Sequence, residues 1–130
     1  MSKPISLISA QVKAIIFDLD DTLYDCSGTL VLKSKKLAAK IISKAIKCSE
    51  AEALKLQLEL EARLGPKADI SQEIADLYNL SEEFCKEIAN TINTLEVDGA
   101  MLFSDAMDSI NELKRIGYKL FLVTFGNREM

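Results

Sequence analysis

The most constraining feature of the sequence is a short apolar run that ends directly in a group of carboxylates. Residues 14–17 read AIIF and are followed at once by Asp18, Leu19, Asp20 and Asp21. The short run and its β-branched isoleucines favour a strand of the parallel kind, covered on both faces. Asp18 continues this strand without a turn residue, and a buried carboxylate there needs a cation or hydrogen bonds to compensate it. Two carboxylates two residues apart suit Mg²⁺, which prefers oxygen ligands and keeps some of its water.

A second strand is predicted near the other end of the chain. Residues 118–123 read YKLFLV and follow a helical pattern that Ser104 can cap and Gly117 can end. The apolar positions of that helix recur at helical spacing: Ala106, Ile110 and Leu113. The order of helix, glycine, strand and then Thr124 is typical of half a doubly wound α/β sheet, in which the strand ends carry the polar site.

The residues between Gly28 and Ala100, about seventy in number, have almost no strand signal. Four helices are predicted there: residues 30–47, a helix from the Ser49 capping box to the Gly65-Pro66 stop, residues 70–79 after Asp69, and residues 82–94 after Ser81. The apolar positions expected to be buried on the second helix are Ala51, Leu54, Leu58 and Ala62. The sequence therefore predicts a helical region inserted after the first strand.

Composition excludes several kinds of chemistry. The chain has no histidine, which removes histidine general bases, Ser-His-Asp triads and histidine metal ligands. Its three cysteines form no C-x-x-C pair, so neither a disulfide framework nor a zinc site is indicated. Apolar residues make up 48% of the chain, yet no run approaches a membrane span and the first residues lack the apolar core of a secretory signal. A protein of the cytoplasm without a membrane partner is expected.

Five lysines recur at intervals of three and four, and we call them the lysine face: Lys33, Lys36, Lys40, Lys44 and Lys47. A solvated helix surface is the favoured interpretation, and a surface that attracts a phosphate-rich ligand is the alternative. Residues 49–98 hold twelve acids against four bases. That balance makes a nucleic acid an unlikely partner.

Two motifs resemble those of the haloacid dehalogenase-like (HAD) hydrolase superfamily. Residues 14–23, AIIFDLDDTL, are similar to its first motif, a strand followed by Asp-x-Asp-x-Thr, and residues 120–124, LFLVT, to its second. The helical region most resembles the cap of nucleotidase-like and phosphoglycolate phosphatase-like members. The resemblance implies an α/β fold, an incomplete doubly wound, Rossmann-like parallel sheet with an all-helical cap. Residues 1–28 and 101–130 would then form the N-terminal part of the phosphatase core, and residues 29–100 the cap.

The resemblance also implies roles for individual residues. Asp18 would be the nucleophile, and Asp20 the general acid and base. Mg²⁺ would be held by the Asp18 carboxylate and the Asp20 backbone carbonyl. The Thr124 hydroxyl and the backbone N–H groups of Phe125 and Gly126 would bind the substrate phosphate. The function implied is Mg²⁺-dependent hydrolysis of a small phosphate monoester, a nucleotide or sugar phosphate, through an aspartyl-phosphate.

Asp20 favours phosphate-ester chemistry, because haloacid dehalogenases proper have no aspartate at that position of the motif. Asp21 and Asp25 are interpreted as members of an acidic, solvated loop. Tyr24 is expected to be a core residue rather than part of the site. A phosphomutase that uses the same two aspartates is one alternative, and a catalytically inert fragment that binds phosphate or a partner is another.

The chain departs from the family pattern in two respects. Phe125 stands where many relatives have asparagine. No residue can be assigned to the lysine of the third motif or to the acids of the fourth. We therefore expect the 130 residues to be inactive alone and to need a completing C-terminal segment or a second chain.

Overall fold

The computed structural model of the chain describes residues 11–96 and 99–125, in two compact units. One unit, Met1–Ser27 with Gly99–Met130, is called the sheet unit, and the other, Gly28–Asp98, the helical insert. The elements in chain order are β1 (Ala14–Asp18), a short π-helical segment (Ser27–Val31), α1 (Leu32–Ile46), α2 (Glu50–Leu64), α3 (Ile70–Tyr78), α4 (Glu82–Asn93), α5 (Ser104–Ile116) and β2 (Lys119–Val123). The interpretation of these parts as phosphatase core and cap, with boundaries after residues 28 and 100, stays a prediction.

In the sheet unit, β1 and β2 form a parallel two-stranded sheet. The register runs from Ala14 opposite Lys119 to Asp18 opposite Val123. The connection from β1 to β2 passes through the helical insert and then α5, which packs against β2. A small parallel sheet with helices inserted between its strands confirms the predicted fold class.

The prediction that β1 is covered on both faces is wrong. Ile16 is 66% exposed, and its neighbour across the sheet, Phe121, is 53% exposed. On the opposite face of β1, Ile15 and Phe17 are half-buried. One helix layer covers only one face of a sheet, and α5 provides such a layer here.

The ends of α5 confirm one predicted signal and correct another. Gly117 ends the helix at a φ of 104°, in the left-handed region that glycine enters without strain. Ser104 does not cap it, because Ser104 is already the first helical residue and the N-cap position belongs to Phe103. Two of the predicted apolar positions, Ala106 and Leu113, are buried.

The helical insert contains its own apolar core. Its buried members come from all four helices: Ala38, Ala39 and Ile42 of α1, Ala53 and Leu60 of α2, Ile74 and Ala75 of α3, and Phe84 and Ile88 of α4. The alanines allow α1 to pack closely against α2, and α1 also packs against α4. Ile42 and Ile74 are almost fully inaccessible, at 1% and 0% exposure.

Two of the three predicted caps in this unit are formed by side chains. The Ser49 capping box is complete, since its hydroxyl accepts from the Glu52 N–H while the Glu52 carboxylate accepts from the Ser49 N–H. Asp69 accepts a hydrogen bond of 3.1 Å from the Gln72 N–H. Ser81 occupies the N-cap of α4, as predicted, but its side chain makes no cap hydrogen bond.

The buried face of α2 also differs from the prediction. Ala53, Gln57 and Leu60 are buried, whereas Leu58 is 46% exposed. Gln57 can be buried because its side-chain amide donates a hydrogen bond of 3.1 Å to the Lys35 carbonyl. A polar residue thus takes a core position on α2. The buried face of the helix is therefore not the face that the apolar positions predicted.

All five members of the lysine face are exposed, while Lys35, which is not a member, is half-buried and pairs with Glu61. The cysteines Cys26, Cys48 and Cys85 are free. None of the described helices has both the length and the apolar character needed to cross a bilayer.

Candidate active site

The parallel register brings the carboxyl ends of β1 and β2 to one edge of the sheet. Asp18 is the last residue of β1 and lies opposite Val123, the last residue of β2. Thr124 directly follows Val123, so it lies one position beyond the partner of Asp18. The two strands therefore deliver a carboxylate and a hydroxyl-bearing residue to the same end of the sheet, as the two sequence motifs predict.

The Asp18 carboxylate is exposed, which corrects the expectation of a buried charge. It lies at the end of the strand, on the same face as the exposed Ile16. The Thr22 hydroxyl donates a hydrogen bond of 3.0 Å to Asp18 Oδ2. This contact orients the carboxylate through one oxygen and leaves Oδ1 outside the hydrogen bond from Thr22.

A tight turn follows β1 and brings Thr22 back to Asp18. The Leu19 carbonyl accepts hydrogen bonds from the N–H groups of Thr22, at 3.3 Å, and Leu23, at 3.0 Å. Asp21 lies within the turn at a φ of 57°, in the left-handed region that aspartate tolerates better than most residues. The turn therefore depends on the residue type at position 21.

Asp20 has a hydrogen-bond partner on the same turn. The Tyr24 hydroxyl donates to Asp20 Oδ1 over 2.9 Å. A hydrogen bond with the Cys26 thiol, together with burial and the contact with Asp20, raises the pKa of Tyr24 above its ordinary value. Burial raises the pKa of the Cys26 thiol as well. Tyr24 is therefore protonated at neutral pH and serves as a donor.

Asp21 is exposed, as predicted, but it is bonded rather than simply solvated. Its carboxylate accepts hydrogen bonds from the Ser27 hydroxyl, at 2.5 Å, and from the Ser27 N–H, at 2.7 Å. These two hydrogen bonds lower the pKa of Asp21 below its ordinary value. They also tie the turn after β1 to the first residue of the π-helical segment.

The residues predicted to bind phosphate follow β2. Thr124 is exposed, and Phe125 is 96% exposed. Both residues are open to solvent and follow the strand end where Asp18 also lies, so an anion can approach them. Gly126, the third predicted member, lies outside the described residues.

The donor set fits one mode of Mg²⁺ binding. Among residues 11–96 and 99–125, no three carboxylate, cysteine or histidine side chains are grouped closely enough to hold a metal ion by themselves. Mg²⁺ commonly uses only one or two protein carboxylates and completes its shell with water and substrate phosphate. The exposed Asp18 carboxylate and the Asp20 backbone carbonyl are oxygen donors suited to this mode.

Two contacts of this site were not predicted from the sequence, those of Tyr24 and Ser27. Tyr24 follows Asp20 by four residues and Ser27 follows Asp21 by six, but these spacings have meaning only once the turn is known. An aromatic residue beside Leu23 is typical of a core position. The one sequence signal for these contacts was Asp21, because aspartate tolerates the left-handed backbone conformation that turns often need.

Comparisons with known proteins agree on one family. A family model described as haloacid dehalogenase-like hydrolase matches residues 12–130. The glyceraldehyde 3-phosphate phosphatase of Methanothermobacter thermautotrophicus is 31% identical over 118 residues, which cover 88% of this chain and 52% of that protein. The chain thus spans about half the length of the curated relative it matches.

A solved structure shows the same fold. The crystal structure of a HAD phosphatase from Thermococcus onnurineus superposes with a TM-score of 0.52 at 21% identity, over 90% of this chain and 53% of that chain. At this level of identity the likeness concerns the fold alone. It supports a Rossmann-like core interrupted by helices.

Proposed function

The chain belongs to the haloacid dehalogenase-like hydrolase family, and on that basis we propose that the whole protein hydrolyses a small phosphate monoester through an aspartyl-phosphate on Asp18. The observation that carries the proposal is the exposed Asp18 carboxylate at the carboxyl end of β1, beside the strand that leads into Thr124. An exposed carboxylate held through one oxygen can use the other to attack phosphorus.

A small sugar phosphate is the proposed class of substrate. The support is the relative whose name gives glyceraldehyde 3-phosphate as its substrate and which is 31% identical to this chain. A nucleotide is the alternative substrate of the same chemistry. Both are phosphate monoesters of an alcohol, so both need a proton for the departing oxygen.

In the first half of the reaction, Asp18 Oδ1 forms a bond to phosphorus and the bond from phosphorus to the ester oxygen breaks. Thr22 holds Oδ2 during this attack. Asp20, in its protonated form, gives its proton to the ester oxygen, which leaves as an alcohol. The product on the protein is a mixed anhydride of Asp18 and phosphate.

In the second half, a water molecule attacks the phosphorus of this anhydride. Asp20, now a carboxylate, takes a proton from the water as the new bond forms. The bond from phosphorus to Asp18 breaks, which releases inorganic phosphate and returns both carboxyl groups to their starting forms. One residue thus serves as the acid and then as the base.

The reaction also requires that negative charge be neutralised, because a carboxylate and a phosphate repel each other. The Asp18 carboxylate and the Asp20 carbonyl would hold Mg²⁺, which when bound supplies positive charge that offsets this repulsion. The Thr124 hydroxyl and the Phe125 N–H would donate hydrogen bonds to the phosphate oxygens and orient the substrate.

The test replaces the nucleophile in the whole protein. With glyceraldehyde 3-phosphate and para-nitrophenyl phosphate as substrates, Asp18→Asn should reduce phosphate release by at least about a thousand-fold, because an amide is not a usable nucleophile. Asp108→Asn makes the same chemical change at an exposed position on α5 and should keep full activity. Retention of a tenth of the wild-type turnover by Asp18→Asn would contradict the proposal.

Phosphate release by the wild type also separates the hydrolase from the two alternatives, and transfer of phosphate to a sugar separates the alternatives from each other. A phosphomutase returns the phosphoryl group to a sugar, so it would transfer phosphate without releasing it to water. An inert binding protein would bind phosphate esters without either outcome.

A further inference from the structure

The hydroxyl of Tyr24 donates a hydrogen bond of 2.9 Å to the carboxylate oxygen Oδ1 of Asp20. The family motif accounts for Asp18, Asp20 and Thr22, but it assigns nothing to Tyr24. Tyr24 is half-buried, whereas Asp20 is exposed. A half-buried donor therefore holds one oxygen of an exposed carboxylate.

We propose that Tyr24 is a positioning residue for Asp20, which it orients for proton transfer by holding Oδ1 and directing Oδ2 to the reacting oxygen. This inference rests on the proposed function, since it assumes that Asp20 moves the proton. Tyr24 itself touches neither substrate nor water in this role, and it acts only through Asp20.

Tyr24 is well suited to this role because its own position is fixed from several directions. Its backbone forms a bridge with Leu102, where the chain returns to the sheet unit. The adjacent Leu23 carbonyl accepts a hydrogen bond of 2.8 Å from the Phe103 N–H. Leu23 and Cys26, on either side of it in the sequence, are both only 7% exposed. A donor anchored in this way orients its partner at little further cost in entropy.

The hydrogen bond is compatible with both halves of the reaction. When Oδ2 carries a proton, Oδ1 has carbonyl character and still accepts a hydrogen bond, and when Asp20 is ionised both oxygens accept. A tyrosine hydroxyl keeps its proton at neutral pH, so Tyr24 remains a donor throughout. Tyr24 can therefore hold the same orientation while Asp20 first gives and then takes a proton.

The first test removes the hydroxyl in the whole protein. Tyr24→Phe should lower kcat for glyceraldehyde 3-phosphate by about ten-fold, in the range expected for one hydrogen bond to a charged group, with KM little changed. Formation of the phosphoenzyme from para-nitrophenyl phosphate should fall less than two-fold, because its leaving group needs no proton. Tyr118→Phe removes the hydroxyl of another half-buried tyrosine in the sheet unit and should leave both rates unchanged.

A general structural defect would slow both substrates alike, and that result would overturn the inference. Tyr24→Met is a second variant without the hydroxyl, and it should show the same dependence on the leaving group. Both variants are assayed at a temperature where circular dichroism shows them folded, so a loss of stability is not read as a loss of positioning.

The second test is a double-mutant cycle. If Tyr24 acts through Asp20, Tyr24→Phe should cause no further loss of kcat in an Asp20→Asn background, because there is no proton donor left to orient. Losses that multiply would overturn the inference and leave the role of Asp20 intact. If Asp20→Asn alone hydrolyses glyceraldehyde 3-phosphate at the wild-type rate, the proposed function itself fails.

Discussion

Replacing Ile74 with alanine should destabilise the helical insert strongly, because this side chain is fully buried in its core. Ile74 lies on α3 at 0% exposure and belongs to the cluster that joins all four helices. Leu77, on the same helix but 59% exposed, provides the matched control.

The expected loss in the free energy of unfolding follows from the carbon atoms that the substitution removes. Ile74→Ala deletes three carbon groups, and at about 0.8 kcal/mol each their transfer from water accounts for about 2.4 kcal/mol. The void left among the surrounding core side chains adds to this, and the total should be about 3 to 4 kcal/mol. Leu77→Ala removes as many carbons from a largely hydrated position and should cost less than about 1 kcal/mol.

Urea denaturation followed by far-UV circular dichroism measures this difference, because four of the five described α-helices belong to the insert. With a slope of about 2 kcal/mol per molar, Ile74→Ala should lower the midpoint by about 1.5 M or more, and Leu77→Ala by less than about 0.5 M. Equal shifts for the two variants would refute the assignment of Ile74 to the core.

Two further predictions concern hydrogen bonds to carboxylates. The Ser49 N–H and hydroxyl lower the pKa of Glu52, so its stabilising effect on α2 is fully present above the pKa of the unfolded chain and is lost as the pH falls through the lower, folded value. Glu52→Gln should therefore be less stable than wild type at pH 7, and a difference that persists below about pH 3 would contradict this. Ser27→Ala removes the hydroxyl whose hydrogen bond is the largest cause of the lowered pKa of Asp21. An NMR titration of the Asp21 carboxyl should therefore show a higher pKa in this variant. An unchanged pKa would show that the Ser27 hydroxyl does not bind Asp21.

Much of the fold follows from local signals that act within a few residues. The Ser49 capping box, the Gly65 stop and the Asp69 cap each determine a helix end through their own backbone and side-chain groups, and all three occur as predicted. Ser104 does not act as a cap, because α5 begins at Ser104 itself and a capping residue must precede the first helical residue. A capping residue can act only from outside the helix, although Ser81 shows that the N-cap position alone does not ensure a side-chain hydrogen bond.

Burial was harder to predict because it depends on distant partners. Gln57 is buried only because the Lys35 carbonyl, 22 residues away in the chain, accepts its amide hydrogen. Ile16 is exposed although its strand is apolar, since the covering of a strand is a property of the layers around it. Neither the burial of Gln57 nor the exposure of Ile16 leaves a pattern in the sequence.

The candidate site likewise combines features that local sequence signals predict with contacts that they do not. The positions of Asp18 and Thr124 follow from two strand ends, and parallel pairing brings them to one edge. The contact between Tyr24 and Asp20 depends on the turn geometry, which the left-handed Asp21 determines. The residues of the motif were therefore predictable, and the residues that orient them were not.

The most direct measurement is the detection of a phosphoryl group on Asp18. The Asp20→Asn variant of the whole protein should accept phosphate from para-nitrophenyl phosphate in the presence of Mg²⁺ and hydrolyse the aspartyl-phosphate slowly, so the intermediate should accumulate. After acid quenching and digestion, mass spectrometry should find the phosphoryl group on the peptide that carries Asp18, labile to base, and absent when Asp18→Asn is added. A phosphoryl group on a hydroxyl residue such as Thr22 or Thr124, or turnover by the wild type with no covalent intermediate at all, would contradict Asp18 as the nucleophile.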